Sequence, residues 1–182
     1  MKWYGGVLLA VVCGLSLVPT VAQDHTPTPA GKGASEKSKS NAVSAAQLEK
    51  DFFELVRSGD AKKFLNYVSE GGVNVGREAQ HLSHAEVADQ LTQHTGLYCK
   101  LFDSSCIQSE IKLDQSNVRA CSYRELLTQS KDVHTAATET TRNGIRQAIL
   151  VARTKNDNCS GVGLVDFIFN LQSDGWKLFS IP

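Results

Sequence analysis

The sequence predicts an α+β domain, with helices in its first half packed on one face of an antiparallel sheet in its second half. Three observations predict it. Helix-start signals fall early, at Ser44 with Gln47, at Asp60 and at Ser83 with Glu86. Apolar alternation and tight-turn pairs fall late, around Asn143-Gly144 and Ser173-Asp174-Gly175. Between Pro29 and Pro182 there is no proline, so nothing of that kind breaks either half. Helices first and hairpins afterwards is the element order of α+β domains.

Two segments precede the domain. Residues 1–22 read as a cleaved signal peptide. Lys2 gives a short positive start, Val7 to Val18 (VLLAVVCGLSLV) is a compact apolar run, and Pro19 breaks it. Thr20-Val21-Ala22 then offers small residues for cleavage before Gln23. An uncleaved membrane anchor is the competing reading, but the run is shorter than the roughly 18–20 residues a span needs. A lipid-modified Cys13 is a further alternative, although Cys13 lies inside the apolar run behind the bulky Val12. Residues 23–41 (QDHTPTPAGKGASEKSKSN) bury almost nothing and read as a flexible low-complexity leader. The folded domain then spans 42–182. The expected location is secreted or periplasmic, with no stable membrane span after cleavage.

Within the domain, Leu48, Phe52, Leu55 and Val56 follow Ser44 at helical spacing, and Ser58-Gly59 ends that helix. Asp60 caps a short second helix carrying Phe64, Leu65 and Val68, which Gly71-Gly72 breaks. Val73-Asn74-Val75 reads as a short strand. Ser83 and Glu86 open a third helix through Val87, Leu91 and His94, stopped or bent at Gly96. Leu97 to Phe102 is apolar and fits either helix or strand. Ser122 with Glu125 opens a short helix, SYRELLTQ. The texture then changes to four strands: Val133 to Thr141, Ile145 to Thr154, Gly163 to Leu171 and Trp176 to Ile181. In the third of these, Val165, Phe167, Phe169 and Leu171 alternate onto the expected core face.

Composition excludes some functions. Among 182 residues, 19 Lys+Arg balance 19 Asp+Glu, so no global basic field exists to hold nucleic acid. Loss of Lys2 with the signal leaves 18 basic residues against 19 acidic ones, a net charge of −1. Processing also removes Cys13 and leaves Cys99, Cys106, Cys121 and Cys159. An even count in an exported chain predicts two disulfides. Four cysteines allow three pairings. The favoured one closes Cys99 with Cys106 around KLFDSS and joins Cys121 to Cys159. No CxxC occurs, so neither a zinc site nor a thioredoxin-like redox site is indicated.

The opening helices LEKDFFELVRSGDAKKFLNYVSEG and the closing hairpin GLVDFIFNLQSDGWKLFSIP resemble the nuclear transport factor 2-like (SnoaL-like, cystatin-like) cone superfamily. The resemblance rests on Gly59-Asp60 between the helices and on Asp174-Gly175-Trp176-Lys177 at the last turn. It implies N-terminal helices packed on a curved antiparallel sheet formed mainly by the C-terminal half, sometimes around an apolar pocket. It implies no particular reaction. The segment from Gly96 to Cys121 is longer and richer in cysteine than is usual in that superfamily.

Catalytic members of the superfamily place an Asp–His or Asp–Tyr pair in the pocket. The candidates by resemblance are Asp166, His134, Tyr98 and Tyr123. Asp166 lies within an apolar strand, where desolvation would suit it to act as a general base beside His134. The alternative places Asp166 on the outer face, paired with Arg146 or Arg153. His81, His84 and His94 do not converge on one helix face, and no carboxylate completes a metal site. GxSxG, GxxxxGK[ST] and GxGxxG are absent, so no cofactor is indicated. Asn158-Cys159-Ser160 matches a glycosylation tripeptide. Three readings therefore stand. One is a non-catalytic binding or accessory domain. Another is a small-molecule pocket enzyme using Asp166 with His134. The third is an inhibitor or immunity-like protein with an apolar patch around Tyr98, Leu101 and Phe102. The partner is an unidentified small molecule or protein.

Overall fold

Fourteen residues after Ser44 wind into the first helix, α1 (Ala45–Ser58). Ser44 accepts the N–H of Gln47, but the Gln47 side chain turns forward to Asp51, so the cap is one-sided rather than a full box. Gly59 stops the helix at φ +75°, its N–H bonded to the carbonyls of Leu55 and Val56. Asp60 then caps α2 (Ala61–Leu65) through the N–H of Lys63. The structure is a computed structural model describing residues 43–110, 119–159 and 163–182. The signal and leader segments, and Ser160 of the glycosylation tripeptide, lie outside those residues.

The remaining elements are β1 (Val73–Val75), β2 (Gln80–Leu82), α3 (His84–Gln93), α4 (Leu97–Phe102), α5 (Ser104–Glu110), α6 (Tyr123–Gln129), β3 (Asp132–Arg142), β4 (Ile145–Lys155), β5 (Leu164–Gln172) and β6 (Gly175–Ile181). Both later capping boxes form in full, Ser83 with Glu86 and Ser122 with Glu125. Leu97 to Phe102 resolves as helix. His94 is not part of the α3 face but its C-cap, at φ +56°. Sequence reading placed no element at β2 or α5. Each is short, and neither carries a clear period.

The sheet is ordered β2-β1-β6-β5-β4-β3. The expected four-stranded antiparallel meander is β3 to β6, and Asn143 (φ +52°) and Gly144 (φ +77°) make its first turn. Beyond it, β1 joins β6 in parallel through Asn74↔Ser180 and Val75↔Ile181. A bulge leaves Phe179 unopposed between Ile168↔Ser180 and Phe169↔Leu178. The extra residue turns Phe179 outward while Leu178 and Ile181 both stay buried.

The helices cover the inner face of this curved sheet. Val165, Phe167 and Phe169 point into it as alternation required, and Leu171 is half-buried there. Phe52 is the hub. Its ring lies 4.9 Å from both Phe167 and Phe169, 5.5 Å from Tyr67 and 5.9 Å from Phe64. The entry into α1 is held by two long-range bonds: Trp176 Nε1 donates to the Val43 carbonyl, and the Ala45 N–H donates to Glu139.

The Gly71-Gly72 step shows why a break is needed there. Gly72 has φ +88°, and a Cβ on it would run into the Leu82 carbonyl and come within 2.9 Å of the Ser83 Cα. Gly72→Ala is expected to lose roughly 1–3 kcal/mol of stability, because strained backbone and a blocked approach add. Gly71→Ala, whose Cβ would meet only Ser69 Oγ at 3.6 Å, is the control and should be near neutral. Urea midpoints of the two variants check this; equal midpoints would contradict it.

The disulfides are Cys99–Cys106 and Cys121–Cys159, the pairing favoured from sequence. The first ties α4 to α5. The second ties the residue before the α6 cap to the chain beyond β4, where Arg119 also bridges Cys159.

Candidate functional site

Asp166 and His134 both lie on the outer, solvent-facing side of the sheet. Asp166 stands opposite Val151 on β4, and His134 stands opposite Arg153. β4 therefore separates them. Both are exposed, and among the described residues neither makes a hydrogen bond or ion pair. The structure does not bring them together in an enclosed site. Arg146 is not a partner of Asp166, because it sits on the inner side. There it pairs with Glu139 at 2.9 Å and lies 5.8 Å over the Trp176 ring. Arg153 shares the outer face with Asp166 without pairing to it.

Tyr123 faces inward, away from that pair. Its hydroxyl donates to the Pro182 carbonyl at 2.6 Å. Burial first, and the Asp166 charge second, push its phenol far above the usual range, so it stays protonated. Tyr98 lies between His94, stacked at 4.1 Å, and Phe102 at 5.5 Å. His81 approaches Asn74 at 3.4 Å, and His84 begins α3. Among the described residues no group of three His, Cys, Asp or Glu side chains is placed to hold a metal ion.

Among the described residues the interior between helices and sheet is closely packed. An enclosed space between α6 and strands β4 and β5, walled by Phe53, Tyr123, Leu127, Ala152 and Phe167, leaves ≈ 0 Å³ for a water-sized molecule. The apolar patch expected around Tyr98, Leu101 and Phe102 is not at the surface. Leu101 and Phe102 are buried, because α4 is a helix whose apolar side turns into the core. The large apolar side chains left in water among the later strands are instead Leu164 (48% exposed), Ile145 (46%) and Phe179 (44%). Strand parity puts Leu164 and Ile145 on the outer face with half-buried Ile149, Val151 and Ile168. The bulge adds Phe179.

An open groove escaped the sequence reading. It is ≈ 490 Å³ between α1 and α2, where Asp51, Glu54, Lys63, Asn66 and Tyr67 meet. A second hollow of ≈ 240 Å³ continues it past Asn66 and Tyr67 to Trp176 and Lys177. Burial, with Asp51 behind it, raises the Tyr67 phenol. The two lysines are already engaged, Lys63 with Asp60 at 3.2 Å and Lys177 with Asp174 at 3.0 Å. The residues come from separate elements, so no local motif announces the groove. The i, i+3 carboxylates Asp51 and Glu54 were its only sequence mark.

Glu139 carries a pH consequence. The hydrogen bond from Arg146, then that from the Ala45 N–H, holds its carboxyl below the reference 4.5. A depressed folded-state pKa gives stability that is present above the unfolded value and lost as pH falls through the folded one. Acidification below about pH 4.5 should therefore release the start of α1 from β3. Glu139→Gln is expected to lose that contribution near neutrality, a small one because the carboxylate is exposed, and so to flatten the acid limb, where the two proteins converge. Urea midpoints across the limb measure it, and parallel profiles for the two proteins would contradict it.

No protein-family model matches the chain, and no curated protein matches it. Among solved structures the chain is similar to one named "Rd1NTF2_05 with long sheet", at 11% identity and a TM-score of 0.41, over 75% of this chain and 92% of that one. It is also similar to "Rd1NTF2_04 with long sheet", at 11% identity and a TM-score of 0.39, over 76% of this chain and 97% of that one.

Proposed function

We propose that the chain is an exported, disulfide-stapled binding or accessory domain that acts through its surface rather than through an interior pocket. The observation that carries this reading is the filled core. Where a cone-shaped sheet would enclose a ligand, Phe52, Phe53, Phe64, Phe167 and Phe169 interlock, and each is essentially inaccessible. Two disulfides support an oxidising compartment, which agrees with the signal-like residues 1–22. A protein is the favoured kind of partner. The outer sheet face is broad and mixes apolar side chains with Arg153, His134 and Asp166, whereas small-molecule sites are concave.

Two measurements test this. Intact mass of the protein recovered from its host should show a chain beginning at Gln23 with no free thiol. A retained segment 1–22 or any reactive thiol would refute export with two complete disulfides. Hydrogen exchange on the partner-bound protein should show added protection at surface positions of β4 and β5. Protection confined to the interior, or turnover of a small substrate lost in Asp166→Asn with His134→Gln, would refute surface action.

A further inference from the structure

We propose that a second copy of the chain pairs with the free edge of β3, in antiparallel register centred on Ala137, to make one continuous sheet across two subunits. β3 ends the sheet, and among the described residues no strand lies beyond it. Alternate backbone N–H and C=O groups of such a strand point away from its one neighbour and are open to pairing.

Natural edge strands are usually kept short, bulged, or guarded by lysine or proline. The opposite edge, β2, follows that rule with three residues. β3 does not. It has eleven residues, no Lys and no Pro, and it pairs with β4 without a register break from Asp132↔Lys155 to Arg142↔Ile145. Its one charge between the ends, Glu139, is engaged by Arg146 and by the Ala45 N–H. The rest of the interior is Val133, His134, two Ala and four Thr, and its β-branched Val and Thr suit a pleated strand.

The occupant follows from the charges. Asp132 and Arg142 close the two ends of β3, and neither has an ion-pair partner among the described residues. They are equally far from Ala137. An antiparallel copy in that register sets Asp132 of each chain opposite Arg142 of the other, so two free charges of opposite sign become two cross-strand pairs. Between them Val133 meets Thr141, His134 meets Thr140, and the small Ala136 and Ala137 occupy the centre. No like charges meet. Such a contact is isologous and closes at two copies.

The test is charge reversal with rescue, read by sedimentation of the full-length protein across a concentration series. Wild type is expected to be a dimer. Asp132→Arg alone sets like charges opposite each other at both ends, as does Arg142→Asp alone. Each should weaken dimerisation about tenfold or more. The double variant Asp132→Arg with Arg142→Asp restores the pairs and should restore the dimer. Circular dichroism of each variant shows that the fold is kept. Leu164→Ser with Phe179→Ser, on the outer face, should leave the dimer intact. A wild-type monomer throughout the series would overturn the proposal, as would a dimer indifferent to single reversals or one dispersed by the outer-face variant.

Discussion

Phe52→Ala is expected to cost about 3–5 kcal/mol, the usual range for deleting a fully buried aromatic ring. The ring is 0% exposed, and it meets other rings edge-on or tilted on every side that the structure records. It joins α1 to α2 through Phe64 and both to β5 through Phe167 and Phe169. Removing it leaves a cavity bounded by α1, α2 and β5 that cannot all close in, because β5 is fixed between β4 and β6. In a domain of this size the loss lowers the thermal midpoint by roughly 10–20 °C. Phe52→Leu keeps most of the volume and should lose less than half as much. A calorimetric scan in which Phe52→Ala lies within a few degrees of wild type would sink this account of the core. If the cavity binds a small apolar molecule, the filled centre is also what separates this domain from a pocket protein.

The parts of this fold that were readable from sequence are those where a local rule acts alone. Ser83 with Glu86 and Ser122 with Glu125 form caps because both partners lie within one turn. Asn143-Gly144 turns the chain because both residues accept positive φ. The four long strands are long enough for their alternation to show. What was not readable depends on partners far away in the chain. β1 showed as a short strand, but its parallel seating on β6 did not; β2 becomes a strand only because β1 offers it an edge, and the bulge at Phe179 could not be seen in Gly175 to Ile181 by itself. Arg146 faces inward because its strand parity matches that of Ala148 and Leu150, not that of Ile145. Asp166 had two readings, a desolvated base inside an apolar strand or a residue of the outer face. The same alternation that buries Phe167 turns Asp166 out to water. For the site, the sequence marked individual chemistry-bearing residues, but only the topology shows that β4 stands between Asp166 and His134.

The two disulfides should contribute unequally, and the difference is a second strong test. A cross-link removes more entropy from the unfolded chain the longer the loop it closes. Cys121–Cys159 spans 38 positions and is expected to be worth about 4 kcal/mol, against about 2 kcal/mol for the seven positions of Cys99–Cys106. The folded state adds to the contrast. Cys121 directly precedes Ser122, the fully buried cap of α6, and Arg119 beside it bonds Glu125 at 3.0 Å and Ser104 at 3.0 Å. α6 in turn delivers Tyr123, Leu126 and Leu127 to the core. Paired alanine variants avoid stray thiols: Cys121→Ala with Cys159→Ala should lower the denaturant midpoint clearly more than Cys99→Ala with Cys106→Ala. Equal losses would mean that the short bridge restrains α4 and α5 in a way loop length does not capture. A larger loss from the short bridge would reverse the assignment, making the α4–α5 corner rather than the seating of α6 on the sheet the contact that holds the helices to this domain.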